Sequence, residues 1–526
     1  MKKSFAFGEA VGLPPCPREA PRGAAEGPLR REVAIDTAEC GGERVKELVY
    51  PPHNGVCVVV WQVRHGLAQR MDEEGMMDET LFEMPEEEVR FGLEEGSGRP
   101  RLKRANRQQM QWQPIDLDSL LVEDHPARLI WEFVEQLDLS ALYDEIQAVE
   151  GHPGQNAIDP KILMGLWLYA TLEGVGSARG LDRLCQEHNA YRWLCGGVSV
   201  NYHTLADFRV DHAGVLDQLL TQSVAALMGE GLVSLERTAQ DGMRVRASAG
   251  SDSFHRRRSL ERNLEQAEAH VQALRAEVEA DPGALSRRQR AACERARRER
   301  ASRVRRALQQ LEELEKAHRK THKKATPGKP VRVSLTDPEA RVMRMGDGGF
   351  RPAYNVQLSV DTQSGVLVGW EVTDGVDRGQ ILPMVEQMEG RYRRPPREHV
   401  TDAGFVTHAD IDTLAKRDPP TILYAPVPKV RREAQTSYQS HGPPSAAVVA
   451  WREQMEGERA KAALKERGAT SEWVNALMRN RGLHQFCVRG LRKVRSVVLW
   501  FALLHNLLQG YALRRKAGQA SVVANV

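Results

Sequence analysis

The segment at residues 235–247 constrains the fold more than any other part of this chain of 526 residues. Beyond Gly242, apolar residues alternate with arginines, which is the period-2 pattern of a strand with one buried face. Aspartate has poor strand propensity, so Asp241 in the middle of this segment needs a reason. One reason is a bulge or turn at Gly242, and the other is a metal ligand held on a rigid strand. The segment alone leaves both open.

Composition restricts the class of protein. Hydrophobic residues at 41% and charged residues at 28% are typical of a soluble globular protein, and the length allows about two to four domains. The seven cysteines are odd in number and form no CxxC pair, which argues against a zinc site or a disulfide framework. We expect a reducing cytosol as the compartment, and no apolar run of transmembrane length.

The first hundred residues show no coherent periodicity. Residues 1–75 are rich in Pro, Gly and Arg, and an acidic run follows. We predict that residues 1–100 are disordered, or that part of them is an incorrectly assigned extension of a protein that starts at Met71, Met76 or Met77.

Residues 101–230 have a helical texture and predict a compact all-α domain. Within it, residues 160–172 are apolar on nearly every side, which predicts a buried helix. His203 is a candidate catalytic residue, but a capping or core role is favoured for it.

A strongly basic segment follows the strand around Asp241. Residues 256–329 contain 21 Lys or Arg against 11 Asp or Glu, a surplus of 21 − 11 = 10 positive charges. Its apolar residues recur at helical spacing that breaks at Asp281-Pro282-Gly283, and we predict an inserted antiparallel helical hairpin at 256–330. A solvated helix face is the alternative to phosphate contact, which we favour for the arginine cluster of Arg295, Arg297, Arg298, Arg300, Arg303, Arg305 and Arg306.

Strand patterns return after residue 350 and predict a mixed sheet covered by helices, the last two of them at about 451–480 and 494–512. Asp402 ends one of these strands, and the carboxyl ends of strands border the binding crevice in such sheets. Two aspartates brought together there would repel each other unless a cation were present, and their hard oxygen atoms suit Mg²⁺ or Mn²⁺. Glu472 is the best-placed third acid. Its rivals are Glu453, Glu456, Glu458 and Glu466, while Asp361, Asp374 and Asp377 are interpreted as turn formers.

Four segments together resemble a known family. They are TAQDGMRVRA, RPAYNVQLSVD, HVTDAGF, and GATSEWVNALMRNRGLHQFCVRGLRKVR with the closing HNLL. In this order and spacing they resemble the DDE transposases of bacterial insertion sequences, over roughly residues 102–508. The resemblance implies catalytic, metal-binding roles for Asp241, Asp402 and Glu472. It also places family basic residues at Arg467 and Arg479, which we expect to contact DNA. Leu464 stands where the family often has a tyrosine.

The fold class implied is a mixed α+β or α/β architecture with an RNase H-like core. The core would comprise residues 231–255 and 331–515, interrupted by the helical hairpin at 256–330. The all-α N-terminal domain at 101–230 would bind DNA ends, and residues 516–526 would form a tail.

The activity implied is metal-dependent cleavage at the ends of an insertion sequence and strand transfer into target DNA, with two Mg²⁺ or Mn²⁺ ions. The partners implied are double-stranded DNA and a second copy of the chain, in a cytoplasmic, nucleoid-associated bacterial protein without a membrane partner. Two alternatives stay open: a metal-dependent nuclease on the same fold, and an inactive or domesticated copy that only binds DNA.

Overall fold

The computed structural model describes residues 116–149, 151, 155–280, 287–321, 331–373, 375–427 and 443–524. The predictions for residues 1–100 and for alternative start codons lie outside the described residues. The described residues all belong to one compact unit.

The described chain begins with helices. After a 3₁₀ turn at Asp118–Leu120, the helices are α1 (Pro126–Gln136), α2 (Ser140–Asp144), α3 (Pro160–Leu172), α4 (Ala178–Glu187), α5 (Asn189–Cys195), α6 (Tyr202–Asp211) and α7 (Ala213–Gly229). The buried helix predicted at 160–172 is confirmed with the same bounds. Asp159 caps it by accepting a hydrogen bond from the Lys161 backbone N–H, and Pro160 occupies its first turn, where no donor is needed.

A mixed sheet follows. Its strands are β1 (Arg237–Arg246), β4 (Arg341–Arg344), β5 (Phe350–Asp361), β6 (Leu367–Thr373), β7 (Glu398–Val400) and β8 (Ile422–Tyr424). Strand β5 pairs antiparallel with β1 on one edge and with β4 and β6 on the other, and β1, β7 and β8 are parallel. A separate two-stranded sheet joins β2 (Phe254–His255) and β3 (Val333–Ser334). The mixture of helices and strands agrees with the predicted class, and the RNase H-like assignment stays a prediction.

Helix α14 (Leu491–Ala524) packs against both the helical part and one face of the sheet. Trp500 and Ser496 on this helix both donate hydrogen bonds to the carbonyl of Arg209 in α6, at 3.0 and 2.7 Å. Buried residues of α1, α3, α14 and strands β1 and β5 consequently belong to one hydrophobic cluster. The helical part and the sheet share a core.

The length of α14 corrects one expectation. Among the described residues, Leu491–Gly518 is long and apolar enough to cross a membrane, although we expected no such run. Most of that stretch is buried within the protein, which is the situation of a core helix.

The remaining helices cover the sheet. Helices α10 (Ile381–Tyr392), α11 (His408–Ala415) and α12 (Ala446–Glu456) share a second cluster with α7, while α13 (Glu458–Asn480) joins the first. The single helix predicted at 451–480 is wrong, because the chain breaks at Gly457 between α12 and α13.

Two long helices leave the sheet between β2 and β3, as predicted for the basic insertion. They are α8 (Arg257–Ala280) and α9 (Arg287–Thr321), and they pack on each other around Leu260, Ala307 and Leu311. The break predicted at residues 281–283 lies outside the described residues.

Candidate active site

Strand pairing brings the two predicted catalytic aspartates to neighbouring positions. In the parallel pair of β1 and β7, Ala239 lies opposite Val400. Continuing this register by two residues sets Asp402 beside Asp241, and side chains two apart on a strand share a face. The convergence therefore follows from the order of strands in the sheet, which residue spacing alone cannot reveal.

The guanidinium of Arg467 connects the two carboxylates. Its Nη2 lies 2.7 Å from Oδ1 of Asp402, and its Nη1 lies 3.9 Å from Oδ1 of Asp241. The side chain of Arg467 is only 13% exposed, compared with 20% for Asp241 and 52% for Asp402. We expected Arg467 to contact DNA. The structure places its guanidinium between the carboxylates of Asp241 and Asp402.

Helix α13 presents a second polar side chain to the same strand. Nδ2 of Asn475 donates a hydrogen bond of 2.9 Å to Oδ2 of Asp241, while the backbone N–H of Gly242 donates to Oδ1. Asn475 follows Arg467 by eight residues, which is two turns along one helix face. Both oxygens of Asp241 thus have assigned partners. Sequence reasoning missed Asn475, although its helical spacing from Arg467 was a usable signal.

The environment of Asp241 disfavours its charged form. Burial raises the pKa of its carboxyl above the usual value, and the nearby carboxylates of Asp402 and Asp377 raise it further. The positive charge of Arg467 and the Gly242 N–H act in the opposite direction on this pKa. A concentration of negative charge with one arginine against it is an arrangement that favours a cation.

Glu472 lies on the exposed side of α13, three residues before Asn475. Among the described residues, no three His, Cys, Asp or Glu side chains are close enough together to hold a metal ion. The structure thus brings Asp241 and Asp402 together and does not place Glu472 with them as a closed ligand set. Arg479 is also exposed, near the end of the same helix.

Gly242 has a steric role that differs from the bulge or turn considered for it. The pairing of β1 with β5 continues through Gly242 without a shift in register. A Cβ at this position would lie 2.3 Å from Oδ1 of Asp377 and 2.7 Å from Nε2 of Gln357. The bulge is therefore wrong, and a Cβ at this position would displace the ends of the polar side chains that occupy the space next to the strand.

Asp377 belongs to a polar layer on the sheet face opposite Asp241. Its Oδ1 accepts hydrogen bonds from the amides of Asn355 at 2.7 Å and Gln357 at 2.8 Å. Interpreting Asp377 only as a turn former missed these contacts. Asp361, in contrast, accepts from the backbone N–H and hydroxyl of Ser364, which confirms it as a turn former.

A buried histidine extends this polar layer. His399 on β7 is hydrogen-bonded to Thr238 at 2.8 Å and to Gln240 at 3.0 Å. Burial lowers the pKa of His399 to about 3, so the imidazole is neutral at physiological pH. The layer supports β1 and β7 from behind, on the face away from the carboxylates.

The rivals of Glu472 are occupied elsewhere or exposed. Glu466 forms an ion pair with Arg237, whose guanidinium also binds the buried Glu398. Glu458 pairs with Lys461 at the start of α13, and Glu453 and Glu456 are exposed on α12. Leu464, at the family's tyrosine position, packs beside Val400 and Tyr424.

The basic hairpin presents several arginines to solvent. Arg295, Arg298, Arg300, Arg305 and Arg306 are exposed, while Arg297 and Arg303 are half-buried. Acids of the hairpin neutralise part of this charge, since Arg298 pairs with Glu294 and Arg305 with Glu268.

His203 is neither a cap nor a core residue. The cap of α6 is Asn201, whose side-chain oxygen accepts from the backbone N–H groups of His203 and Thr204. His203 itself is exposed and its ring stacks on Tyr202, with centroids 4.0 Å apart.

Comparison with known families agrees with the resemblance. Residues 115–211 match the model of a transposase domain (DUF772), a stretch that ends with α6. The match supports a transposase of an insertion sequence, and therefore an enzyme that processes DNA. Comparisons with curated proteins and with solved structures gave no match.

Proposed function

We propose that the chain is a DDE-type transposase that cleaves DNA at the ends of an insertion sequence and joins those ends to target DNA. The observation that carries the proposal is the convergence of Asp241 and Asp402 on Arg467. These acids are separated by 160 residues of chain that include the whole basic hairpin.

The donor atoms suit a divalent cation. Asp241 and Asp402 offer hard carboxylate oxygens. Burial is the main reason that the pKa of Asp241 is raised, and a cation bound there would favour its charged form. These two aspartates would hold Mg²⁺ or Mn²⁺, with Glu472 as the third ligand, and the family resemblance implies two ions. Bound there, the cations would neutralise charge on a phosphate and make a water molecule or a 3′-hydroxyl more nucleophilic.

The other residues of the site orient Asp241 and balance the negative charge of the aspartates. Asn475 fixes the rotamer of Asp241 by its amide hydrogen bond, and Arg467 balances the charge of the two aspartates. From this position, Arg467 is also close enough to contact a phosphate oxygen bound at the acids. Such groups contribute by holding the reacting atoms in place.

DNA contacts are proposed for two regions. The matched domain at 115–211 would bind the transposon ends, and the exposed arginines of α9 would hold the backbone through phosphate contacts. Pairing of two ends in one complex requires at least two copies of the chain, and we propose a dimer or larger assembly on DNA.

The experiment compares Asp402→Asn with the wild type on a labelled duplex that contains the DNA flanking the gene. We expect cleavage to be lost and the dissociation constant for DNA to stay within about threefold, because the substitution removes a ligand and leaves the DNA surface intact. Equal loss of binding and cleavage would contradict the assigned role. The same expectation applies to Asp241→Asn and Glu472→Gln.

A matched control is available on the helix of Glu472. Glu458→Gln removes an exposed carboxylate of α13 at the opposite end and should cleave at the wild-type rate. Incubating a pre-cut 3′-hydroxyl end with a plasmid target then separates a transposase from a nuclease, which would cut without joining. A wild-type protein that binds but neither cuts nor joins would identify an inactive copy.

A further inference from the structure

Arg467 lies between the two aspartates of the candidate active site. Its Nη2 is 2.7 Å from Oδ1 of Asp402, and its Nη1 is 3.9 Å from Oδ1 of Asp241. Its side chain is mostly buried, and its Nε is buried without a hydrogen-bond partner. The guanidinium is therefore held at the site mainly by the negative charge of the two carboxylates.

No other acid of the described chain balances this arginine. Among the described residues, Arg467 forms ion pairs with Asp241 and Asp402 alone. Its neighbour Glu466 pairs instead with Arg237. The positions three and four residues from Arg467 on the same helix face carry no acid; they are Ala463, Leu464, Thr470 and Ser471. A guanidinium that loses the two aspartates therefore needs a negative group from outside helix α13, since a buried charge without a partner is costly.

A divalent cation at the same carboxylates would compete with the guanidinium. Mg²⁺ binds carboxylate oxygens at about 2.1 Å, so a cation on Oδ1 of Asp402 would lie within roughly 5 Å of Nη2. Like charges at this separation repel, and partial burial strengthens the repulsion because the effective dielectric constant is lower than in water. One divalent cation also neutralises both carboxylates, which leaves Arg467 without a counter-charge.

A DNA phosphate would replace the aspartates as the partner of Arg467. Asp402 is 52% exposed, so the guanidinium ends at a side of the site that is open to a bound DNA backbone. The planar guanidinium matches the oxygens of a phosphate and forms charge-assisted hydrogen bonds with them. A change of rotamer moves the end of a long side chain from a carboxylate to a phosphate beside it.

We propose that Arg467 is an internal competitor of the cation. It neutralises the two aspartates until DNA binds, and it then moves to a DNA phosphate and frees both carboxylates for the cation. The inference rests on the proposed function, because it takes the aspartates as cation ligands and DNA as the substrate. Its consequence is that the site binds a divalent cation tightly only when DNA is bound. The affinities for cation and DNA are then coupled, and each ligand raises the affinity for the other by the same factor.

The first experiment measures the binding of Mn²⁺ to the full chain without DNA, by electron paramagnetic resonance. Asp402→Asn defines the Mn²⁺ binding that does not involve this site. We expect Arg467→Met to bind Mn²⁺ about tenfold more tightly than the wild type, which lies within the usual range of coupling between two ligands. Lys465→Met removes an exposed positive charge of the same helix and is the matched control, with the affinity of the wild type. An affinity of Arg467→Met equal to or below that of the wild type would overturn the proposal.

The second experiment repeats the Mn²⁺ titration with a duplex that contains the DNA flanking the gene. The same duplex with Asp402→Asn accounts for Mn²⁺ bound to DNA phosphates. DNA should tighten Mn²⁺ binding about tenfold more in the wild type than in Arg467→Met, because only the wild type has this arginine to release. Equal tightening in the two proteins would show that Arg467 does not leave the aspartates for DNA.

A measurement on the wild type does not depend on the folding of any variant. Phenylglyoxal modifies accessible arginines, and peptide mapping by mass spectrometry reports the labelling of each one. Adding Mg²⁺ should increase the labelling of Arg467 several-fold and leave that of Arg479, which is exposed on the same helix, unchanged. Labelling of Arg467 that does not respond to Mg²⁺ would contradict the competition.

These experiments separate a failure of this inference from a failure of the proposed function. If the wild type and Asp402→Asn bind Mn²⁺ equally in the presence of DNA, the aspartates hold no cation and the proposed function fails. Mn²⁺ binding that depends on Asp402 but not on Arg467 leaves the proposed function intact and overturns only the competition.

Discussion

Asn475 donates a hydrogen bond of 2.9 Å to Asp241 across 234 residues of sequence. The contact joins the C-terminal part of helix α13 to the first long strand of the sheet. Asp241 is held in one orientation before any cation or DNA is present, because its two oxygens accept from different donors. Pre-orientation of this kind is what a metal ligand requires of its surroundings.

Asn475→Ala should therefore lower the rate of DNA cleavage without abolishing it. Removing a partner that orients a metal ligand typically costs about 10- to 100-fold in activity or metal affinity. The measurement is single-turnover cleavage over a titration of Mg²⁺, with DNA binding followed in parallel. Asn480→Ala, at the exposed end of the same helix, should behave like the wild type. An unchanged rate in Asn475→Ala would remove the hydrogen bond from the mechanism.

Gly242→Ala tests the crowding behind the strand. The new methyl group would lie 2.3 Å from Asp377 and 2.7 Å from Gln357, so these side chains must move. We expect the free energy of unfolding to fall by about 1–3 kcal/mol, the usual cost of overpacking. Chemical denaturation provides the measurement. Gly229→Ala is a fair comparison, since a Cβ there meets open space. Adding Asp377→Ala to Gly242→Ala should recover part of the loss, and no recovery would show that the strain arises elsewhere.

Two buried histidines should make the protein less stable in mild acid. Burial lowers the pKa of His399 to about 3 and that of His505 to about 4, against 6.5 in an unfolded chain. As the pH falls below about 6.5, these histidines bind protons in the unfolded state but not in the folded state. The free energy of unfolding therefore decreases. Each histidine lowers the free energy of unfolding by about 1.4 kcal/mol for each pH unit below its unfolded-state pKa.

Measuring unfolding by denaturant between pH 7.5 and pH 4.5 tests this expectation. His505→Gln can still donate a hydrogen bond to the Gly365 carbonyl, which His505 contacts through Nε2 at 2.9 Å. The substitution removes the titrating group. Below pH 6.5, the free energy of unfolding should then decrease less steeply with falling pH, by about 1.4 kcal/mol per pH unit. A slope identical to that of the wild type would show that His505 takes up its proton without unfolding.

Arg300→Gln combined with Arg306→Gln should weaken the salt dependence of DNA binding. Both side chains are exposed on α9. For every phosphate that an arginine no longer neutralises, the slope of log K against log salt should become shallower by about 0.9. The control for the change in net charge is Arg397→Gln combined with Arg514→Gln. Both arginines are exposed and lie outside the hairpin. Equal slopes in the two double variants would exclude the hairpin from the DNA interface.

The local sequence pattern was sufficient to predict the helices and strands whose boundaries are set by nearby residues. Helix α3 matches its predicted bounds because a proline, a capping aspartate and a continuous apolar run all act within one segment. Strand β1 follows from the alternation after Gly242. Strands β3 and β4 were not predicted, since they are short and are defined by pairing with distant partners. The break at Gly457 was missed because both flanking segments favour helix.

The sequence by itself determined which residues are candidates for the chemistry: the aspartates, the helix-borne glutamate and the basic insertion, through their motifs and order. Only the tertiary structure decided which of them meet. The parallel pairing of β1 with β7 brings Asp402 to Asp241, and the docking of α13 adds Arg467 and Asn475 while leaving Glu472 exposed. The physical reason is that motif composition is a local property, whereas strand order and helix docking depend on burying apolar surface from segments hundreds of residues apart.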